Sequence, residues 1–202
     1  MGKSFAEKIM PFAGILILLA VIGVGLAFAF PGNNSAPKEG ESAPDFSLPT
    51  VNGGTFSLSD FKGKKNILLF FQEGIMCPPC WQQQVDLELK KADLAALNVE
   101  PVMITVDPPA ALAQAKAQYG ITSTVLYDGD LKVSRQYAVL TDSMHPGERP
   151  GHVFVLVDKE GKIRWYYSAY KPSGSGDHHS GGGTMYVPVG TVLNSIQSAL
   201  ST

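Results

Sequence analysis

The chain predicts an α/β sandwich built around a mixed sheet, and three observations carry that prediction. Short apolar runs of strand length alternate with stretches of helix formers. The alternation closes on a hairpin pattern followed by an amphipathic helix, and residues 44–202 are numerous enough for one good core.

Taken in order, residues 66–72 (NILLFFQ) are apolar on both faces, the pattern of a central buried strand. The stretch after Cys80, WQQQVDLELKKADLAAL, holds good helix formers without Gly or Pro and reads as a helix broken near Lys91. Residues 100–106 read as a second strand. Residues 109–119 read as a helix with proline in its first turn, stopped by Gly120. A short strand is predicted at 124–127 and a short helix at 130–137. Residues 152–157 and 162–168 flank Asp158-Lys159-Glu160-Gly161 as the arms of a hairpin. A last helix at 188–200 puts Val189, Val192, Leu193, Ile196 and Leu200 on one face, and no internal repeat is visible.

Ahead of this domain, residues 12–30 run without a charge or a hydrogen-bonding side chain, long enough as a helix to cross the ~30 Å hydrocarbon core of a bilayer once. Lys3 and Lys8 precede the run and the next basic residue is Lys38, so residues 1–11 are assigned to the cytoplasm and the domain to the extracytoplasmic side of a cell membrane. The competing reading is a cleaved signal peptide, since Ala27-Phe28-Ala29 satisfies the small-x-small rule. Residues 31–43, rich in Pro, Gly, Ser and Asn, read as a mobile tether, and the globular domain is assigned to 44–202.

Of the 202 residues, 17% are charged and the formal net charge is -2, which lacks the basic excess of a nucleic-acid binder. Two cysteines rule out a multi-disulfide scaffold and a four-cysteine zinc site. They stand as Cys77-Pro78-Pro79-Cys80 where the predicted buried strand gives way to a helix. A thiolate there is stabilised by unpaired backbone N–H groups and the positive end of the helix dipole. Cys77 is the natural nucleophile, facing solvent, and Cys80, one turn in, the resolving thiol. The prolines have no N–H, which leaves the backbone N–H and thiol of Cys80 as the first donors for the Cys77 sulfur. Two other readings stay open. A structural disulfide would close too small a loop to gain much. A metal site would draw further ligands from His145, His152, His178 and His179.

Residues 43–49 (APDFSLP), 56–64 (FSLSDFKGK) and 68–71 (LLFF), with 133–137 (VSRQY) and 155–163 (VLVDKEGKI), resemble the redoxin superfamily that includes the alkyl hydroperoxide reductase/thiol-specific antioxidant proteins. The resemblance implies a thioredoxin-like three-layer sandwich with a central mixed sheet. It also shows departures. Peroxiredoxins carry Pro and Thr or Ser seven and three residues before the peroxidatic cysteine, where this chain has Phe70 and Gly74. The place of their site arginine falls on His152. Thioredoxin-like reductases hold a cis-proline at that place, and the nearest proline here is Pro150. The CPPC resembles that of membrane-tethered thiol-disulfide oxidoreductases.

The reading that follows is an extracytoplasmic thiol-disulfide oxidoreductase. Its expected partners are exported protein thiols or disulfides and a membrane or extracytoplasmic electron donor, with no cofactor and no nucleic acid. One alternative is a peroxide reductase with Cys77 peroxidatic and Cys80 resolving. The other is a copper metallochaperone using the cysteines and a histidine. His152 is expected beside Cys77 as a modulator of the thiolate, and Glu73 as a proton shuttle for Cys80. Arg149 and Arg135 read as surface or structural, Trp81 as packing, and 171–183 as a mobile Gly-rich loop whose His178-His179 pair is a weak copper site.

Overall fold

The computed structural model describes residues 35–170 and 185–201. The predicted membrane span, the tether up to residue 34, and the loop carrying His178 and His179 lie outside the described residues. Among the described residues no helix is long and apolar enough to cross a membrane.

The strands are β1 (Ser47–Pro49), β2 (Thr55–Ser57), β3 (Asn66–Phe71), β4 (Val99–Thr105), β5 (Thr124–Tyr127), β6 (Val153–Val157) and β7 (Ile163–Ser168). The helices are α1 (Pro78–Leu89), α2 (Lys91–Ala96), α3 (Pro109–Gln118), α4 (Lys132–Gln136) and α5 (Val189–Leu200). Five strands form one mixed sheet in the order β5-β4-β3-β6-β7. β3 runs parallel to β4 and antiparallel to β6, with Phe70 opposite Met103 on one side and Phe154 on the other.

The apolar run of β3 explains its central place, since every one of its residues is buried. Its side chains alternate between two cores. Leu68 and Phe70 join Trp81, Leu87, Met103, Phe154, Val192 and Ile196 beneath α1 and α5. Ile67, Leu69 and Phe71 join Phe46, Leu48, Phe56, Val133 and Tyr137 on the opposite face, under α4 and the β1–β2 hairpin. This is a thioredoxin-like α/β sandwich of three layers.

Two features differ from the sequence reading. The β1–β2 hairpin was not predicted, because three-residue strands are too short for a period-two pattern to register. Residues 40–43, assigned to the tether, are held against the turn of the β6–β7 hairpin. Gly40 N–H donates to Ile163 O (2.8 Å), Ala43 N–H to Gly161 O (2.9 Å), and Ile163 N–H to Glu41 O (2.9 Å). Backbone groups of a polar segment can pair with a sheet edge without any apolar side chain to announce it.

Candidate active site

Strand β3 ends at Phe71, and the chain turns through Gln72-Glu73-Gly74-Ile75-Met76 before α1 begins. Pro78 and Pro79 occupy the first two helical positions, where a missing N–H costs no intrahelical bond, and Cys77 is the residue that caps them. Cys77 and Cys80 are joined as a disulfide with Cα atoms 5.3 Å apart. Cys77 lines a cavity of about 220 Å³ together with Glu73, Met76, Met144, His145, Arg149 and Met185, and Cys80 does not reach it.

This asymmetry matches the assignment of Cys77 as the sulfur that meets substrate, with two corrections. Cys77 is only 4% exposed, so a partner must enter the cavity to reach it. The N–H of Cys80 is also not free for the sulfur of Cys77. It donates to the Cys77 carbonyl (3.0 Å), as does that of Trp81 (3.3 Å), in closing the first turn of α1.

The turn before Cys77 is held by residues far away in sequence. Asp107, just past β4, accepts from Ile75 N–H (2.7 Å) through Oδ2 and pairs through Oδ1 with both Nη1 (3.1 Å) and Nη2 (3.0 Å) of Arg149. Arg149 Nη1 also donates to Glu73 O (2.6 Å). Gly74 sits against this pair at φ +115°, and a β-carbon there would stand 1.9 Å from Asp107 Oδ2. Its carbonyl accepts from Cys77 N–H (3.1 Å) and Trp81 Nε1 (3.2 Å), so Trp81 pins the turn as well as packing face to face on Tyr119. Arg149 is therefore structural, as read from sequence, but it also brings a guanidinium to the wall of the Cys77 cavity. That second role was missed. The signal available was a glycine three residues before the motif, at a turn where backbone must approach another group closely.

Glu73 lies in the Cys77 cavity rather than with Cys80, which departs from the proposed shuttle. Its buried carboxylate accepts from Ser143 Oγ (3.0 Å) and Met144 N–H (2.5 Å), and Oε2 is 3.9 Å from His145 Nδ1. It anchors the loop that supplies Met144 and His145 to the cavity wall.

His152 is absent from the cavity lining. Its ring is wholly buried, meets Phe70 edge-on (centroids 4.7 Å) and Phe154 (5.5 Å), and neither ring nitrogen has a hydrogen-bond partner among the described residues. Burial pushes its pKa down to about 3, so at neutral pH it is an uncharged member of the aromatic layer rather than a proton relay at the thiolate. His152 stands immediately before β6, and its side chain joins the aromatic layer instead of lining the Cys77 cavity. No cis peptide occurs among the described residues, so the Arg149–Pro150 bond is trans. Arg135 is on α4 and does not line the cavity, its Nη1 donating to Asp130 O (2.8 Å).

The depressed pKa makes a prediction. An unfolded histidine protonates near pH 6.5 and the folded one only near 3, so stability held above pH 6.5 is lost progressively as pH falls through that window. The loss is up to about 5 kcal/mol in the limit. Urea midpoints measured from pH 7 to pH 4 should fall more steeply for the wild type than for His152→Leu. Parallel curves would show that the imidazole is not buried in its neutral form.

The sequence profile of the AhpC/TSA family, the alkyl hydroperoxide reductase/thiol-specific antioxidant group, matches residues 40–166. Peroxiredoxin Bcp of Escherichia coli (strain K12) is 30% identical over 145 residues, covering 70% of this chain and 90% of its own length. Among solved structures, peroxidoxin BcpB from Mycobacterium tuberculosis superposes with a TM-score of 0.66 at 19% identity, over 80% of this chain and 97% of that one. AhpC of the same organism superposes with a TM-score of 0.66 at 16% identity, over 83% and 95%. At these identities the structural likeness speaks for the fold.

Proposed function

Since the chain belongs to the AhpC/TSA family and is a thiol-dependent oxidoreductase, we propose that it reduces peroxides with Cys77 as the peroxidatic and Cys80 as the resolving thiol. The observation that carries this reading is the small cavity in which Cys77, but not Cys80, shares the wall with the Arg149 guanidinium. The relatives named peroxiredoxins support it over the exchange with exported proteins that the CPPC alone favoured.

The chain's residues would act as follows. The positive charge of Arg149, fixed by Asp107, and the N-terminal end of α1 favour the Cys77 thiolate. The thiolate attacks the outer peroxide oxygen, the O–O bond breaks, and the departing alkoxide or hydroxide takes a proton to leave as an alcohol or water. Cys77 is left as a sulfenic acid. The Cys80 sulfur, one helical turn away, attacks it and hydroxide leaves, carrying off the Cys80 proton as water. The disulfide of the structure is the product, and an external dithiol returns two electrons to restart the cycle.

A second reading, dithiol-disulfide exchange, is favoured by one observation. Phe70 is fully buried and Gly74 has no room for a side chain, so the hydroxyl that would hold a peroxide has no place at position 74. One experiment separates the two. The reduced protein mixed with hydrogen peroxide or an alkyl hydroperoxide in a stopped-flow instrument should consume one equivalent and lose both thiols. Thiols that persist through a large peroxide excess, while a disulfide substrate is reduced at once, would give the assignment to exchange.

We further propose that this chemistry is held at a membrane surface. Support comes from the uncharged run at residues 12–30 with Lys3 and Lys8 before it. Protease added to intact spheroplasts should remove the domain and leave a small membrane-embedded fragment. A fully protected domain would reverse the orientation.

A further inference from the structure

Four methionines lie among the described residues, and three of them, Met76, Met144 and Met185, line the cavity that Cys77 opens into. The fourth, Met103, is a core residue whose sulfur accepts from Gln72 Nε2 (3.3 Å). Met185 is buried and packs into the core beneath α1 and α5 as well as reaching this cavity, but core filling does not explain the other two. Met76 is 80% exposed and Met144 38%, and both sit on loops where a polar residue would meet water more favourably. His145 stands in the same wall with the Glu73 carboxylate facing its Nδ1 at 3.9 Å, which leaves Nε2 as the nitrogen for a ligand.

We propose that Met76, Met144, Met185 and His145 form a site for a soft monovalent cation of the Cu(I) type at the mouth of the Cys77 cavity. Thioethers are poor ligands for hard cations and select Cu(I), and an imidazole completes a low-coordinate set of the kind that ion accepts. The guanidinium of Arg149 in the same wall does not forbid a cation. Asp107 neutralises it, and the buried Glu73 carboxylate adds a further negative charge. In the disulfide form the two cysteine sulfurs are bonded to each other, so the site rests on thioethers and imidazole alone. It goes beyond peroxide reduction and does not depend on it.

The test uses the full-length chain in its disulfide form, titrated anaerobically with Cu(I) against bicinchoninate while methionine methyl resonances are followed by NMR. One Cu(I) per chain should bind, shifting the methyls of Met76, Met144 and Met185 and leaving that of Met103 in place. The double variant Met76→Leu with Met144→Leu, close in volume and largely at the surface, should lose at least about tenfold in affinity. The pair His178→Ala with His179→Ala should bind as the wild type does. Unmoved methyls in the wild type, or an affinity that survives the leucine variant and falls with the loop histidines, would overturn the proposal.

Discussion

Gly74→Ala should lower the unfolding free energy by about 3 kcal/mol or more, and Gly74→Thr by at least as much. The backbone at φ +115° disfavours any side chain, and the new β-carbon would stand 1.9 Å from Asp107 Oδ2 and 2.5 Å from Arg149 Nη1. To make room, the Asp107–Arg149 pair must open, and a buried carboxylate and a half-buried guanidinium would each lose a partner. The threonine variant is the more telling, because it restores the residue type of peroxiredoxins at that place and should impair the protein instead of improving it. Denaturant unfolding checks the stability. A Gly74→Thr protein as stable as the wild type, with faster peroxide consumption, would mean that the turn rearranges freely and that the glycine is not required by its neighbours.

The second large effect is on turnover. Cys77→Ser should lower activity toward peroxides and disulfides alike by about 10³-fold or more, since no other thiol opens into the cavity. Cys80→Ser should react once and stop. With only two cysteines in the chain and external thiol withheld, no thiol of the protein itself can displace the first adduct. Mass spectrometry distinguishes the outcomes: with peroxide the Cys80→Ser protein should carry a dimedone-reactive sulfenic acid on Cys77, and with a disulfide it should carry a mixed disulfide there. Retained turnover in Cys77→Ser would reverse the roles of the two sulfurs.

What could be read in advance was whatever is written locally. The buried strand at 66–71 announces itself by five consecutive apolar residues, Ile67 to Phe71, α3 by its proline start and Gly120 stop, and the β6–β7 hairpin by Asp158-Lys159-Glu160-Gly161. The CPPC motif likewise marks its own place at the end of a strand and the start of a helix. The support of the site was not legible in this way. Gly74, Asp107 and Arg149 are 33 and 42 residues apart in sequence and share no pattern, and only the sheet brings the ends of β3, β4 and β6 to one edge. His152 misled for a related reason. Its position just before β6 could be counted from Asp158, but the direction of its side chain, into the layer of Phe70 and Phe154, depends on a strand pairing that counting does not supply.

The segments that flank the sheet have a consequence for self-association. An uncovered outer strand is a template for another chain's backbone, and the risk grows with its length and flatness. Here the outer strand β5 is met by residues 50 and 51, with Val51 N–H donating to Val125 O (2.9 Å) and Thr50 bridging Leu126. At the opposite border, residues 40–43 occupy the beginning of β7 around Lys162 and Ile163. Strand addition by a second copy is thereby closed at β5 and shortened at β7 to the stretch from Arg164 to Ser168. Deleting residues 35–43 would lengthen that border without touching the cysteines, and should appear as aggregation rather than as lost chemistry.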